Sequence, residues 1–276
     1  MTLEKVHRFT DPDYAALSLR MRTGDDPGDV FDTLHRRGQV VIHATEVERT
    51  AALAEAGAGG DLVIADTRDQ VADLNATIRD HHHRAAQQGD AGTEWAITTA
   101  TGERIGVGDR VATRRNDPDL QVANRHTWTV TGIGEDGSLT LHGHGRDRGI
   151  PSDYAARFVE LAYATTVHGA QGDTVASAHV LIGEHTGAAA AYVAMTRGRQ
   201  HNTAHLVAEN LDDARRQWID VFSRDRADLG PAQARHQAVD AIDRYGPDAR
   251  RRTALAPPPP PSPAPSAQSR GRGLSL

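Results

Sequence analysis

The sequence predicts an α/β protein, a parallel sheet covered by helices and interrupted by a small β-barrel. Three observations predict it. Two short β-branched runs, QVVIHAT (39–45) and DLVIADT (61–67), are each followed by residues with helical spacing. Strand–helix units this close imply parallel strands with helices on the sheet faces. From about Trp95 to Arg157 the apolar period becomes two, with turn signals, and afterwards the strand–helix alternation resumes.

In chain order, Asp11 to Arg22 and Asp29 to Arg37 have helical spacing with polar starts, and Gly24 and Gly38 act as stops. EVERTAALAEAG (46–57) is the helix after the first strand. Thr67 can cap the helix after the second, where Val71, Leu74 and Ile78 share one face. Within the interruption, Thr127–Ile133 and Leu139–Leu141 flank Glu135-Asp136-Gly137-Ser138 and form a hairpin. Beyond it, SAHVLIG (177–183) reads as strand, GAAAAYVAMTRGR (187–199) as helix and TAHLVAEN (203–210) as strand. LDDARRQWIDVFSRDR (211–226) and AQARHQAVDAIDRYG (232–246) are amphipathic helices. Residues 257–265 read PPPPPSPAP and hold 7 of the 13 prolines, so they cannot bury enough apolar surface to order themselves.

Composition excludes several classes. The chain has 276 residues, 31 basic and 37 acidic, for a net charge of -6, which is not that of a basic nucleic-acid coat. Five arginines and no acid follow Ala249, so the body is more acidic than the whole. Without cysteine there is no disulfide, thiolate zinc site or cysteine nucleophile. No apolar run approaches the ~20 residues of a membrane span, and no basic-then-apolar leader follows Met1, so a soluble, cytoplasmic protein without membrane contact is expected. Lys5 is the sole lysine, flanked by Glu4 and Val6, whereas a phosphate-binding P-loop needs Gly-Lys-[Ser/Thr]. The chain carries no complete nucleotide motor.

Two segments concentrate the chemistry, TTVHGAQGDT (165–174) and AYVAMTRGRQH (191–201). In the first, Gly169 and Gly172 let backbone approach a ligand, with His168 and Gln171 beside exposed amides suited to phosphate. In the second, Tyr192 and Met195 face the core, and the helix end offers Arg197, a placement used against a γ-phosphate. Each also has a plain structural reading, as a strand-to-helix turn and as an arginine complementing its helix dipole.

Together these segments resemble motifs V and VI of superfamily 1 DNA helicases, in particular the RecD-like helicase domains fused to MobF-type conjugative relaxases. LEKVHRFTDPDYAALSLRMRTGD (3–25) resembles motif IV, with Thr10 where the family commonly has glutamine. VGDRVATRRNDPDLQVANRHTWTV (107–130) resembles the family's inserted SH3-like barrel, Asn116 and Asn124 matching its hairpin. Thr174 matches the relaxase-fused branch, where other RecD-like enzymes often have glutamate.

The resemblance spans about residues 1–210. It implies a RecA-like P-loop NTPase-type parallel sheet, the second helicase domain, without Walker A. Residues 1–94 and 158–210 form that domain, 95–157 the insert, 211–248 C-terminal helices and 249–276 a disordered Pro/Arg-rich tail. Arg197 and Arg8 are the implied catalytic residues, and Gln171, Gly172 and Arg197 bind ATP. Thr166, His168, Arg114, Arg115 and Asn124 face single-stranded DNA. Walker A, Walker B and motif III, expected before Met1, would come from a first RecA-like domain or a relaxase acting in trans, which would bring ATP and Mg2+. Alone the chain is expected to need no cofactor and to show no ATP turnover. The alternative is a non-enzymatic DNA- or partner-binding remnant.

Weaker signals read structurally. His81, His82 and His83 are consecutive on a helix, point ~100° apart and so cannot chelate together. His142 and His144 share a strand face with no acidic partner evident, which makes them solvated histidines. Trp128 sits in an alternating strand and is expected in the core. No metal site is expected.

Overall fold

A computed structural model describes residues 9–87 and 95–224. Helix α1 (Pro12–Thr23) starts where the Asp11 carboxylate accepts the N–H groups of Asp13 and Tyr14, and ends at left-handed Gly24. Helix α2 (Pro27–Arg36) follows, then β1 (Val40–His43) and α3 (Glu46–Ala58). A reciprocal capping box opens α3: the Thr45 hydroxyl accepts from Glu48 N, and Glu48 accepts from Ala44 N at 3.0 Å. Strand β2 (Leu62–Ala65) precedes α4 (Arg68–Gln87), capped by Thr67 as its sequence predicts.

The chain then leaves the sheet. β3 (Ala96–Thr98) and β4 (Arg104–Gly106) pair as a two-stranded ribbon. β5 (Arg110–Thr113), β6 (Thr127–Ile133), β7 (Leu139–Gly143), β8 (Arg146–Ile150) and β9 (Val159–Leu161) form an antiparallel sheet in the order β8-β7-β6-β5-β9. Antiparallel pairing extends to Leu161, beyond the Arg157 limit expected, because β9 pairs with β5 after a short helix α5 (Ser152–Phe158) that periodicity does not signal. Trp128 is buried and donates to the Thr113 hydroxyl at 3.4 Å, the core role expected of it.

β10 (Ala164–Thr166), β11 (Val175–Leu181), α6 (Ala188–Ala194), β12 (Gly198–Val207) and α7 (Leu211–Ser223) complete the described chain. The main sheet has the order β1-β12-β11-β2-β10, and every neighbouring pair is parallel. Helices α1, α2, α6 and α7 enclose the larger core on one face, with Phe31, Leu34, Ile64, Met195, Leu206 and Trp218 all essentially inaccessible. Helices α3 and α4 cover the other face. No helix among the described residues is long and apolar enough to cross a membrane.

Helix α6 is five residues shorter at its end than the expected span to Arg199. The Thr196 hydroxyl bonds back to Val193 O at 2.9 Å, the Arg197 Nε donates to the same carbonyl at 2.8 Å, and Gly198 already begins β12. Arg199 is therefore a strand residue. The helix expected at 232–246, the Pro-rich tail and Arg8 lie outside the described residues.

Candidate functional site

Residues 167–174 link the C-terminal end of β10 to the start of β11. Thr166 organises the turn: its hydroxyl accepts from Gly169 N at 3.0 Å, and its carbonyl accepts from Ala170 N at 2.9 Å. Gly172 has φ +103°, a backbone state that an L side chain would strain, and with Gln171 it is exposed. His168 is half-buried. Burial first, then the nearby Arg125 charge, hold its imidazole below the usual histidine range, so it is neutral at pH 7.

Arg197 meets this turn from the other side. Val175, the first residue of β11, donates its N–H to Arg197 O at 3.1 Å and pairs with Gly198. The guanidinium reaches inward: Nη2 donates to the Thr196 hydroxyl at 3.1 Å, and Nη1 lies 3.5 Å from Ala170 O in the turn. Arg197 is 7% exposed. The helix-end arginine and the glycine turn, 27 residues apart at Arg197 and Ala170, thus meet beside the N-terminal ends of β11 and β12.

Two further residues support this meeting point, and one of them, Asn202, carried no signal in the sequence. Asn202, fully buried, brackets Gly198 by accepting from its N–H at 2.7 Å and donating to its carbonyl at 2.8 Å. A Cβ on Gly198 would lie 1.9 Å from His201 O, so only glycine fits there. Thr10 donates its N–H and its hydroxyl to Arg199 O, at 3.1 and 3.2 Å. Since Thr10 belongs to the segment resembling motif IV, three segments expected to act together converge in space.

The hairpin between β5 and β6 is closed by Asn116, whose side chain accepts from Asn124 N at 2.8 Å. Arg114 and Arg115 diverge. Arg114 is paired with Glu160 at 2.9 Å, whereas Arg115 is exposed. Asn124 and Arg125 are also exposed, and Arg125 approaches His168 closely enough to lower its proton affinity.

The described polar groups here are cationic, amide and imidazole donors with one exposed carboxylate, Asp173. That set suits a phosphate and offers no acidic pair for a divalent cation. Elsewhere, adjacent His82 and His83 converge with Asp109, one ligand atom from each lying within 4.8 Å of the others, although consecutive helical side chains were expected to diverge. Their rings fold over the buried Asp109, whose carboxylate already accepts from Arg79, Tyr163, His83 and Gly106 N. His142 does have an acidic partner, Asp147 at 2.6 Å, and His144 belongs to the next turn, packing against Trp128 rather than sharing the strand face.

No family model matches the chain. Two Mycobacterium tuberculosis proteins, "Uncharacterized protein MT2373" (strain CDC 1551 / Oshkosh) and "Uncharacterized protein Rv2311" (strain ATCC 25618 / H37Rv), are 32% identical over 148 residues. The match covers 52% of this chain and 84% of theirs. The "Multifunctional conjugation protein TraI" of Escherichia coli K12 is 33% identical over 128 residues, 44% of this chain and 7% of TraI. Bacteroides Pif1 bound to ssDNA superposes with a TM-score of 0.56 at 16% identity, over 85% of this chain and 56% of Pif1. The Pif1 helicase of Candida albicans gives 0.53 at 14% identity, over 86% and 61%. The chain covers 56% and 61% of these two Pif1 chains, and the likeness is one of fold alone.

Proposed function

We propose that this chain, which belongs to one family with the Mycobacterium tuberculosis proteins MT2373 and Rv2311, is the second RecA-like portion of an ATP-dependent single-stranded-DNA translocase. It acts with a Walker A-bearing domain supplied in trans. The observation that carries this reading is the meeting of the 167–174 turn with Arg197 where β11 and β12 begin, Val175 N to Arg197 O at 3.1 Å. Motor enzymes of this kind hold ATP between two such domains, and the second contributes charge rather than the P-loop.

Arg197 here stabilises charge developing on the γ-phosphoryl group, with Arg8, Gln171 and Gly172 completing the phosphate contacts from this side. Mg2+ is held by the complementary domain, because this site has no acidic pair. Thr166, His168, Asn124 and Arg115 face the DNA, and the antiparallel sheet serves as an SH3-like insert. Thr174 and the likeness to TraI support placing the protein beside MobF-type relaxases in conjugative transfer, in the cytoplasm.

A second reading, a DNA- or partner-binding module without turnover, draws support from one observation. Arg197 is turned inward onto its own helix end, the posture of a structural arginine. Both readings are tested by pairing the full chain with a Walker A-bearing first domain. DNA-stimulated ATP hydrolysis that requires both pieces supports the motor. DNA binding without turnover in the pair supports the second reading, and hydrolysis by this chain alone would overturn the first.

A further inference from the structure

Phe158, the last residue of α5, carries two arginines from different elements over its ring. The guanidinium carbon of Arg115, on the β5–β6 hairpin, is 5.1 Å from the ring centroid, and that of Arg157 is 5.0 Å. The two cations are therefore at most about 10 Å apart. The ring is buried, with the Tyr154 ring 5.2 Å away, so the platform is fixed. Hairpin and helix are also tied through backbone: Arg114 N donates to Phe158 O at 2.7 Å, and the Tyr154 hydroxyl donates to Arg115 O.

Charge accounting separates these arginines from their neighbour. Arg114 is matched by Glu160. Arg115 and Arg157 have no carboxylate partner among the described residues, and the nearby Asp117 turns Oδ1 to the N–H groups of Asp119 and Leu120. Two uncompensated guanidiniums held together in a net-acidic protein repel each other, and the ring quadrupole offsets only part of that cost. A bound phosphate would supply the missing anion in the geometry that guanidinium prefers.

We infer that Arg115 and Arg157, seated on Phe158, form a clamp for the phosphodiester backbone of single-stranded DNA in which Arg114 takes no part. This rests on the single-strand-binding reading above and adds Arg157 and Phe158 to it. The ring sets the spacing of the two cations, and each arginine neutralises one phosphate. Sequence discrimination is not expected of such a contact.

The test titrates the full chain with labelled oligodeoxythymidylate across a salt series, in chloride and in inorganic phosphate at equal ionic strength. Arg157→Ala should weaken binding several-fold and lower the slope of log affinity against log salt by about 0.7, the share of one single-strand phosphate. Phe158→Leu should weaken binding with the slope unchanged, since both charges remain, and Arg114→Ala should leave the slope at the parent value. Circular dichroism melting accompanies each variant. If Phe158→Leu unfolds, Arg157→Ala carries the test alone. A parent chain that binds while Arg157→Ala binds with equal affinity and slope overturns the clamp. Inorganic phosphate competing far beyond its ionic strength would also overturn it, by making the site one for free phosphate. A parent chain that binds no oligonucleotide overturns instead the reading beneath it.

Discussion

The hydroxyl of Tyr14 donates to the carbonyl of Met195 across 2.6 Å inside the core. Met195 closes α6 two residues before Arg197, so α1 anchors the segment that carries the candidate phosphate arginine. Burial pushes the Tyr14 hydroxyl far above the ordinary phenol range, and it stays a donor at any working pH. With Thr10 bonded to Arg199 O, α1 and its approach hold both sides of Arg197.

Tyr14→Phe should therefore cost about 1–3 kcal/mol, the penalty for leaving a buried carbonyl without its donor. Urea denaturation should show a lower midpoint with an unchanged slope. A variant as stable as the parent would mean that another donor reaches Met195.

In the reconstituted pair, Arg197→Ala should reduce single-turnover hydrolysis by about 10³–10⁵, the range for loss of an arginine that stabilises the transferring phosphoryl group. ADP-bound association should persist. Arg199, exposed on β12 and holding Thr10 through its backbone, should tolerate alanine with little loss. The reverse ranking in rapid-quench assays would move the catalytic arginine two residues along.

Three histidines on neighbouring strands form a chain under α3: His43 Nε2 to His205 Nδ1 at 3.0 Å, and His205 Nε2 to His179 Nδ1 at 2.9 Å. Asp61 follows, 3.2 Å from His179 Nε2. Burial, then the charges of His179, His43 and Arg49, hold His205 down to about 3. The unfolded chain then binds the extra proton, so stability is full above pH 6.5 and falls toward pH 3, by up to about 1.4 kcal/mol per pH unit for one proton. His205→Gln should flatten that acid limb in denaturation curves at pH 7, 6, 5 and 4. Parallel curves for parent and variant would remove His205 as the cause.

Asp109 is fully buried and joins α4 to the antiparallel sheet through Arg79 at 2.8 Å and the Tyr163 hydroxyl at 2.8 Å. Asp109→Asn removes the buried charge on which Arg79, Tyr163, His83 and Gly106 N converge, a change costing about 3–5 kcal/mol. Thermal melts should show a large drop, and Arg79→Met with Asp109→Asn should recover part of it. An unshifted melt would show that water replaces the carboxylate freely.

The strand–helix order is legible in the residues alone, because β-branched runs, caps and a change of period are local properties. Thr45 and Thr67 cap α3 and α4 as their positions predict, and the 127–143 hairpin follows its turn. The sequence also shows that no Walker A lysine exists in the chain, and it marked 165–174 and 191–201 as the segments to watch. The end of α6 escaped it, since helical spacing continues past Ala194 while Gly198 and Asn202 pull the backbone into β12. The pairing of the hairpin arginines became visible in the fold. Arg114 and Arg115 are neighbours with the same chemistry, yet Glu160, 46 residues away, neutralises one, and Phe158 seats the other beside Arg157. Asp109, His205 and Asn202 were silent for the same physical reason. A buried polar group acquires its role from partners that the fold brings together, and those partners lie on other strands and helices.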